Sequence, residues 1–160
     1  MKRKISALVA GLLLIGNVAM AKLATDEGAL GGIAPGTDLD YVVEIYGTPN
    51  EDPEPKFAIA YDMYTKMVKY GDSVSFYCTS NSASGPFDVV MIHISANNGF
   101  ATPRGIHVGS TRQEVYRAYG MPYINQGNGQ HLWYSIEKRG NMVFHFKGNR
   151  VESISLGWNA

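Results

Sequence analysis

The side chains that could carry chemistry in this 160-residue chain are four histidines, a single cysteine, a serine set between glycine and threonine, and a loop of three carboxylates. Histidine is the commonest metal ligand and titrates near neutral pH. His93 lies between Ile92 and Ile94, and His145 between Phe144 and Phe146. On strands both imidazoles therefore face away from the apolar side and can come close in space. The H-x-H or H-x₃-H spacings that align imidazoles on one element are absent, so no metal site and no cofactor is expected. Ser110 has no G-x-S-x-G elbow around it and reads as a helix cap, not a nucleophile. Glu51, Asp52 and Glu54 alternate with Pro53 and Pro55, the composition of a solvated turn that could make at most a weak calcium contact. Cys78 extends the alternation Val74, Phe76, Cys78 and reads as a small buried hydrophobe. As the only cysteine it also excludes an intramolecular disulfide. No nucleophile with a base, opposed carboxylate pair or ligand cluster emerges, so no catalytic residue is expected and the chain does not read as an enzyme.

Aromatic residues point toward binding. Ten tyrosines and two tryptophans exceed what a small core needs, so some face outward. Tyr and Trp on a rigid sheet offer large amphipathic contact area with little side-chain entropy to lose. Tyr77 shares strand parity with His93 and His145, and one of the neighbours Trp133 and Tyr134 must point the same way. The candidate binding residues are Tyr77, Met91, His93, Trp133, His145, Ser153 and Ser155.

The elements that would position these residues come from an internal repeat. Gly32-Ile33-Ala34-Pro35-Gly36-Thr37 recurs as Gly105-Ile106-His107-Val108-Gly109-Ser110. In the same register Val42 meets Val115, Tyr46 meets Tyr119, Gly47 meets Gly120, Pro49 meets Pro122 and Tyr61 meets Tyr134. Phe76 pairs with Phe144 and Ile92 with Ile154 once extra residues are allowed in the first copy, the longer insertion being Thr79 to Pro86 opposite Lys147-Gly148-Asn149. Each copy opens with a helix. Ser110 and Gln113 form a capping box, with Thr37 in the equivalent place, and Gly47 and Gly120 followed by Pro49 and Pro122 end the helices through a left-handed residue. Alternating stretches then read as strands around Phe57 to Tyr70, Ser73 to Cys78, Phe87 to Ile94, Leu132 to Glu137, Met142 to Phe146 and Val151 to Leu156. Met63 to Lys69 could be strand or turn, and Gly71-Asp72 and Gly140-Asn141 supply hairpin turns. The fold class is α+β: two tandem repeats, each a short helical segment followed by about three antiparallel strands, with the helices on one face of the sheet and the other face open. Repeat 1 spans 22–96, a linker 97–104 and repeat 2 105–160. Residues 22–31 are expected to fray or to form a weak helical turn.

Residues 1–21 carry Lys2, Arg3 and Lys4, an apolar run from Ile5 to Ile15 and Ala19-Met20-Ala21, the order of a secretory signal peptide cleaved after Ala21. The run is too short for a transmembrane span, and no cysteine stands where a lipid anchor would attach. Removing these residues takes three of the 14 basic residues and none of the 14 acidic ones, leaving 11 against 14. No basic run remains to track a phosphate backbone, so nucleic acid is excluded as a partner. The expectation is a secreted or periplasmic monomer.

The pattern G-I-x-x-G-[ST]-x-x-x-x-V-x-x-x-Y-G-x-P followed by strands resembles the repeat of beta-lactamase inhibitory protein and of the SmpA/OmlA (BamE-like) envelope proteins. It rests on Ile33, Gly36, Thr37, Val42, Tyr46, Gly47 and Pro49, and on Ile106, Gly109, Ser110, Val115, Tyr119, Gly120 and Pro122. These are folding residues, so the motif specifies an architecture better than an activity. The resemblance implies a continuous sheet from both repeats whose concave, helix-free face grips a target. The resulting expectation is a non-catalytic module that binds an extracytoplasmic protein or envelope component. The alternatives are an inhibitor of a secreted or periplasmic enzyme, with Thr79 to Pro86 projecting into its active site, and a small hydrolase or metal-dependent enzyme.

Overall fold

The computed structural model describes residues 22–158. They form an α+β fold with one antiparallel sheet of eight strands and two short helices. In chain order the elements are α1 (Leu39–Tyr46), β1 (Lys56–Ala58), β2 (Met63–Tyr70), β3 (Val74–Ser80), β4 (Asp88–Ile94), α2 (Arg112–Tyr119), β5 (Ile124–Gln126), β6 (His131–Ile136), β7 (Gly140–Lys147) and β8 (Arg150–Gly157). The spatial order is β1-β2-β3-β4-β8-β7-β6-β5. Four strands therefore follow each helix, not about three. The additions are three-residue edge strands whose side chains are almost all exposed, so they carry no alternation to read. Met63 to Lys69 proves to be strand.

Period-two burial builds the core. Val74, Phe76, Cys78 and Ser80 are buried along β3 while their neighbours are only half-buried. Register aligns Val68, Phe76, Ile92, Leu156 and Met142 in one row, and Val74, Ile94, Ile154, Phe144 and Leu132 in the next. All ten belong to a single apolar cluster with Leu39 and Val42 of α1 and Val115 and Tyr119 of α2. Full burial of each such side chain contributes about 1.5–3 kcal/mol. Tyr46 of α1 packs on Tyr70, which packs on Phe76, and Tyr119 of α2 packs on Tyr134 and Phe144, so both helices cover the same face.

The helices start one residue later than the pattern predicts. Asp38 caps α1, accepting from the Asp40 amide at 2.7 Å, and Thr111 caps α2 in a capping box with Glu114. Thr37 and Ser110 are occupied elsewhere. The Gly36 and Gly109 amides donate to the Val89 and Val151 carbonyls at 2.7 and 2.8 Å, and the Val89 and Val151 amides donate back to the Thr37 and Ser110 carbonyls at 2.8 Å each. Held as extended backbone against β4 and β8, those residues use their hydroxyls to accept from the Ala34 and His107 amides at 3.3 and 3.2 Å. At the other ends Gly47 and Gly120 have φ of 79° and 73° with ψ of −168° and −151°, a region essentially reserved for glycine, in place of the left-handed helical region expected.

Further corrections concern turns and termini. Tyr61 does not correspond to Tyr134: it is 59 % exposed in the turn after β1, while the Tyr70 and Tyr134 hydroxyls donate to the Gly47 and Gly120 carbonyls at 2.8 and 2.9 Å. The β6–β7 turn is Glu137 to Arg139, with Lys138 at positive φ, and Gly140 already begins β7. Residues 22–31 are held rather than frayed, and they contain the weak helical turn that was the other expectation, a single 3₁₀ turn at Thr25–Glu27. β5 pairs only with His131 to Trp133, which leaves the rest of the β6 edge free. Leu23 takes it: its amide donates to the Ser135 carbonyl and its carbonyl accepts from the Glu137 amide, both at 2.9 Å. Glu27 then pairs with Arg104 at 2.8 Å, and Leu30 is fully buried. The expected signal segment 1–21 lies outside the described residues. Among the described residues no helix is long and apolar enough to cross a membrane.

Candidate binding face

The face opposite the helices is built from the alternate residues of the same strands. One row runs Met67, Tyr77 and Met91; another runs Lys69, Ser75, His93, Ser155, Val143 and Trp133; a third runs His131, His145 and Ser153. All seven residues expected from parity lie on this face. The Trp133 and Tyr134 alternative resolves as Trp133 outward, since Tyr134 is buried against Tyr119 and Phe144. Two bulges shape the face. Opposite Tyr77 and Cys78 stand Met91 and Val89, leaving Val90 without a partner, and opposite His145 and Phe146 stand Ser153 and Val151, leaving Glu152 without one. A bulge bends its strand and sharpens the local twist, here once in the β3–β4 pair and once in the β7–β8 pair.

At the centre a polar chain crosses four strands. Ser155, only 8 % exposed, has its Oγ 3.0 Å from His93 Nδ1 and 3.3 Å from His145 Nε2. His145 Nδ1 in turn lies 2.8 Å from His131 Nδ1. His93 and His145 are close, as parity suggested, because β4 and β8 are paired and Ser155 sits between them. His131 was missed. It contributes through cross-strand register with His145, which no spacing within one strand reveals. Burial holds the pKa of His93 below the usual imidazole value. Burial likewise lowers that of His145, helped by His131 and His93 and opposed by Glu152.

Other chemistry-bearing residues have structural work or no site. Among the described residues no group of three or more His, Cys, Asp or Glu side chains is arranged to hold a metal ion. Glu51 pairs with Lys69 at 2.9 Å and Asp52 with Lys66 at 2.8 Å, so two carboxylates of the acidic loop brace β2. Cys78 is fully buried and burial pushes its thiol pKa up to about 12. The loop from Thr79 to Pro86 does not project from the open face: Ala83 to Pro86 border a cleft shared with Leu39, Asp40 and Pro53 to Pro55, beside the start of α1. What protrudes instead is the β1–β2 hairpin, where Phe57, Ile59 and Tyr61 are exposed, Ile59 to 87 %. Its tip follows a strand too short to be legible. A shallow cleft beside Gly31, Gly32, Tyr46, Phe100 and Thr102 is mostly apolar, and its one titratable group, Tyr46, donates its hydroxyl to the Gly31 carbonyl.

Comparison of the chain with protein-family models, curated proteins and solved structures finds no match.

Proposed function

We propose that this chain is a non-catalytic binding module, exported by residues 1–21, which uses the helix-free face of its sheet to hold an extracytoplasmic protein or cell-envelope component. The observation that carries the reading is the asymmetry of the sheet. Both helices pack on one face, while adjacent rows of the other present Tyr77, Met91, His93, Trp133 and His145 with no helix over them among the described residues. Rigid strands hold such side chains in place before a partner arrives, which lowers the ordering cost of association. We further propose that the chain is a tandem duplication, with repeats at 22–96 and 105–160, in the manner of the beta-lactamase inhibitory and SmpA/OmlA proteins its motif resembles. Support comes from the matched backbone bonds of Gly36 and Gly109, the matched hydroxyl bonds of Tyr70 and Tyr134, and the matched bulges at Val90 and Glu152.

The test is a footprint on the two faces. Tyr77→Ala with Met91→Ala alters the open face, and Tyr41→Ala with Ile45→Ala alters exposed positions of α1. Capture from an extract of the extracytoplasmic compartment should lose a partner with the first pair only. Equal capture by both variants would place binding elsewhere.

A second reading, inhibition of a secreted enzyme, is favoured by the β1–β2 hairpin, whose apolar tip has the form of a segment that enters a cleft. Titration of the protein against beta-lactamases and secreted proteases checks it, with Ile59→Asp expected to abolish any inhibition found.

A further inference from the structure

The geometry points to a binding site for a divalent transition-metal ion of the Zn²⁺, Ni²⁺ and Cu²⁺ class at the cross-strand pair His131 and His145, with Ser155 and His93 as its supporting shell. The site stands apart from the proposed docking role, since it needs no partner to form.

The first observation is convergence. His131 and His145 are register partners on β6 and β7, and their Nδ1 atoms stand 2.8 Å apart. Two ring nitrogens at that distance can share one proton only, so one Nδ1 donates and the other presents its lone pair. The ring centroids lie 5.0 Å apart, so the two Nδ1 atoms face each other across the gap between β6 and β7. Zinc holds imidazole nitrogens at about 2.0–2.1 Å in tetrahedral geometry, which places two of them roughly 3.3 Å apart. For an ion to replace the shared proton the pair must open by about 0.5 Å and both rings must turn so that their Nδ1 atoms point to one side of the N···N line, a change within the reach of side-chain rotation.

The second observation is the wiring behind the pair. A metal-bound histidine nearly always donates its other ring N–H to a fixed acceptor, which sets its tautomer and orientation. His145 Nε2 already lies 3.3 Å from Ser155 Oγ, and that hydroxyl lies 3.0 Å from His93 Nδ1. One consistent assignment runs through all four groups. His145 carries its proton on Nε2 and donates to Ser155, Ser155 donates to His93 Nδ1, and His93 keeps its own proton on Nε2. His145 Nδ1 is then the acceptor and His131 the donor of the shared bond. On metal binding His131 moves its proton from Nδ1 to Nε2 by exchange with solvent, both rings stay neutral and no net proton is released. With two protein ligands, the remaining coordination positions of the ion are water in the free protein.

Titration calorimetry of the purified protein with Zn²⁺ tests the site. One ion per chain is expected for the native sequence. His131→Asn and His145→Asn should each weaken binding about tenfold or more, and Ser155→Ala should weaken it by less. His107→Asn should leave it unchanged, because that imidazole is engaged with the Val108 carbonyl at 2.9 Å, outside the network. A readout on the native chain removes dependence on how the variants fold. At saturation the ¹⁵N spectrum of the imidazoles should show His131 and His145 both as the Nε2–H tautomer, with His107 unmoved. Absence of stoichiometric binding, equal loss with His107→Asn, or unmoved His131 and His145 signals each overturns the assignment.

Discussion

Cys78 shows how burial decides the behaviour of a single side chain. Its thiol is fully buried among Phe76, Val89 and their neighbours, its Sγ lies 3.7 Å from the Phe76 carbonyl, and its pKa rises to about 12 because the thiolate would lose its hydration there. The thiolate is the reactive form, so a disulfide reagent at pH 8 should modify native protein only as fast as the chain opens, and denaturant should make the reaction immediate. Rapid stoichiometric labelling of native protein would contradict this burial. Cys78 was legible in the sequence because its surroundings are local: alternation along one strand sets its face. The outward positions Tyr77, His93 and His145 were legible for the same reason. His131 was not, since it stands at the first position of β6 and its partnership depends on how β6 and β7 align, which the turn at Glu137 to Arg139 fixes.

At the scale of the element, caps and turns carry consequences that side-chain type alone does not. Thr111 accepts from the Glu114 amide at 3.3 Å while the Glu114 carboxylate accepts from the Thr111 amide at 2.6 Å. Thr111→Ala should cost about 1 kcal/mol of stability in urea denaturation, and Ser110→Ala should leave the α2 cap intact. Those bonds from Thr111, backbone first, hold the Glu114 pKa below its ordinary 4.5. With the folded value depressed, its stabilising contribution is present above about 4.5 and is lost as pH falls through the folded value, so Glu114→Gln should flatten part of the acid limb of the stability profile. Glycine substitutions divide just as clearly. A Cβ on Gly140, at φ 89°, would lie 2.2 Å from the Gly157 carbonyl oxygen, whereas one on Gly148, at φ 61°, would meet nothing within 4 Å. Gly148→Ala should cost only the backbone strain of about 1–2 kcal/mol. Gly140→Ala must also part β7 from β8 and should cost more, read as the larger fall in denaturation midpoint. The sequence marked a turn near Gly140 but placed it late, because positive φ at Lys138 is not announced by residue type. β1 and β5 were illegible for lack of buried positions, and the helix starts were displaced because Thr37 and Ser110 are committed to β4 and β8, a tertiary demand that local capping rules do not contain.

At the scale of the molecule, two contacts make the chain one unit. The first is the β4–β8 ladder, where Ile92 faces Leu156 and Ile94 faces Ile154, so the apolar layer runs unbroken from Val68 to Leu132. The second is the segment ahead of α1. Leu23 pairs with the β6 edge, the Gly31 amide donates to the Ala101 carbonyl at 3.0 Å, and Leu30 is fully buried in the common core. Residues that precede the first helix in sequence are thus tied to the strands that follow the second. Leu30→Ala removes a fully buried side chain and should destabilise the protein by about 2–5 kcal/mol. The informative part is where that loss appears. Cys78 lies among β1 to β4, while both tryptophans, Trp133 and Trp158, lie beyond α2. Trp158 meets the Val90 carbonyl at the β4–β8 ladder, so with Trp158→Phe as the background, thiol accessibility reports β3 and Trp133 emission reports β6, on opposite sides of that ladder. If the ladder and the N-terminal segment couple them, the two probes give superimposable urea transitions in that background, and Leu30→Ala moves both midpoints together. Transitions that separate, with Leu30→Ala shifting one alone, would mean that the strands unfold as two units despite their shared sheet.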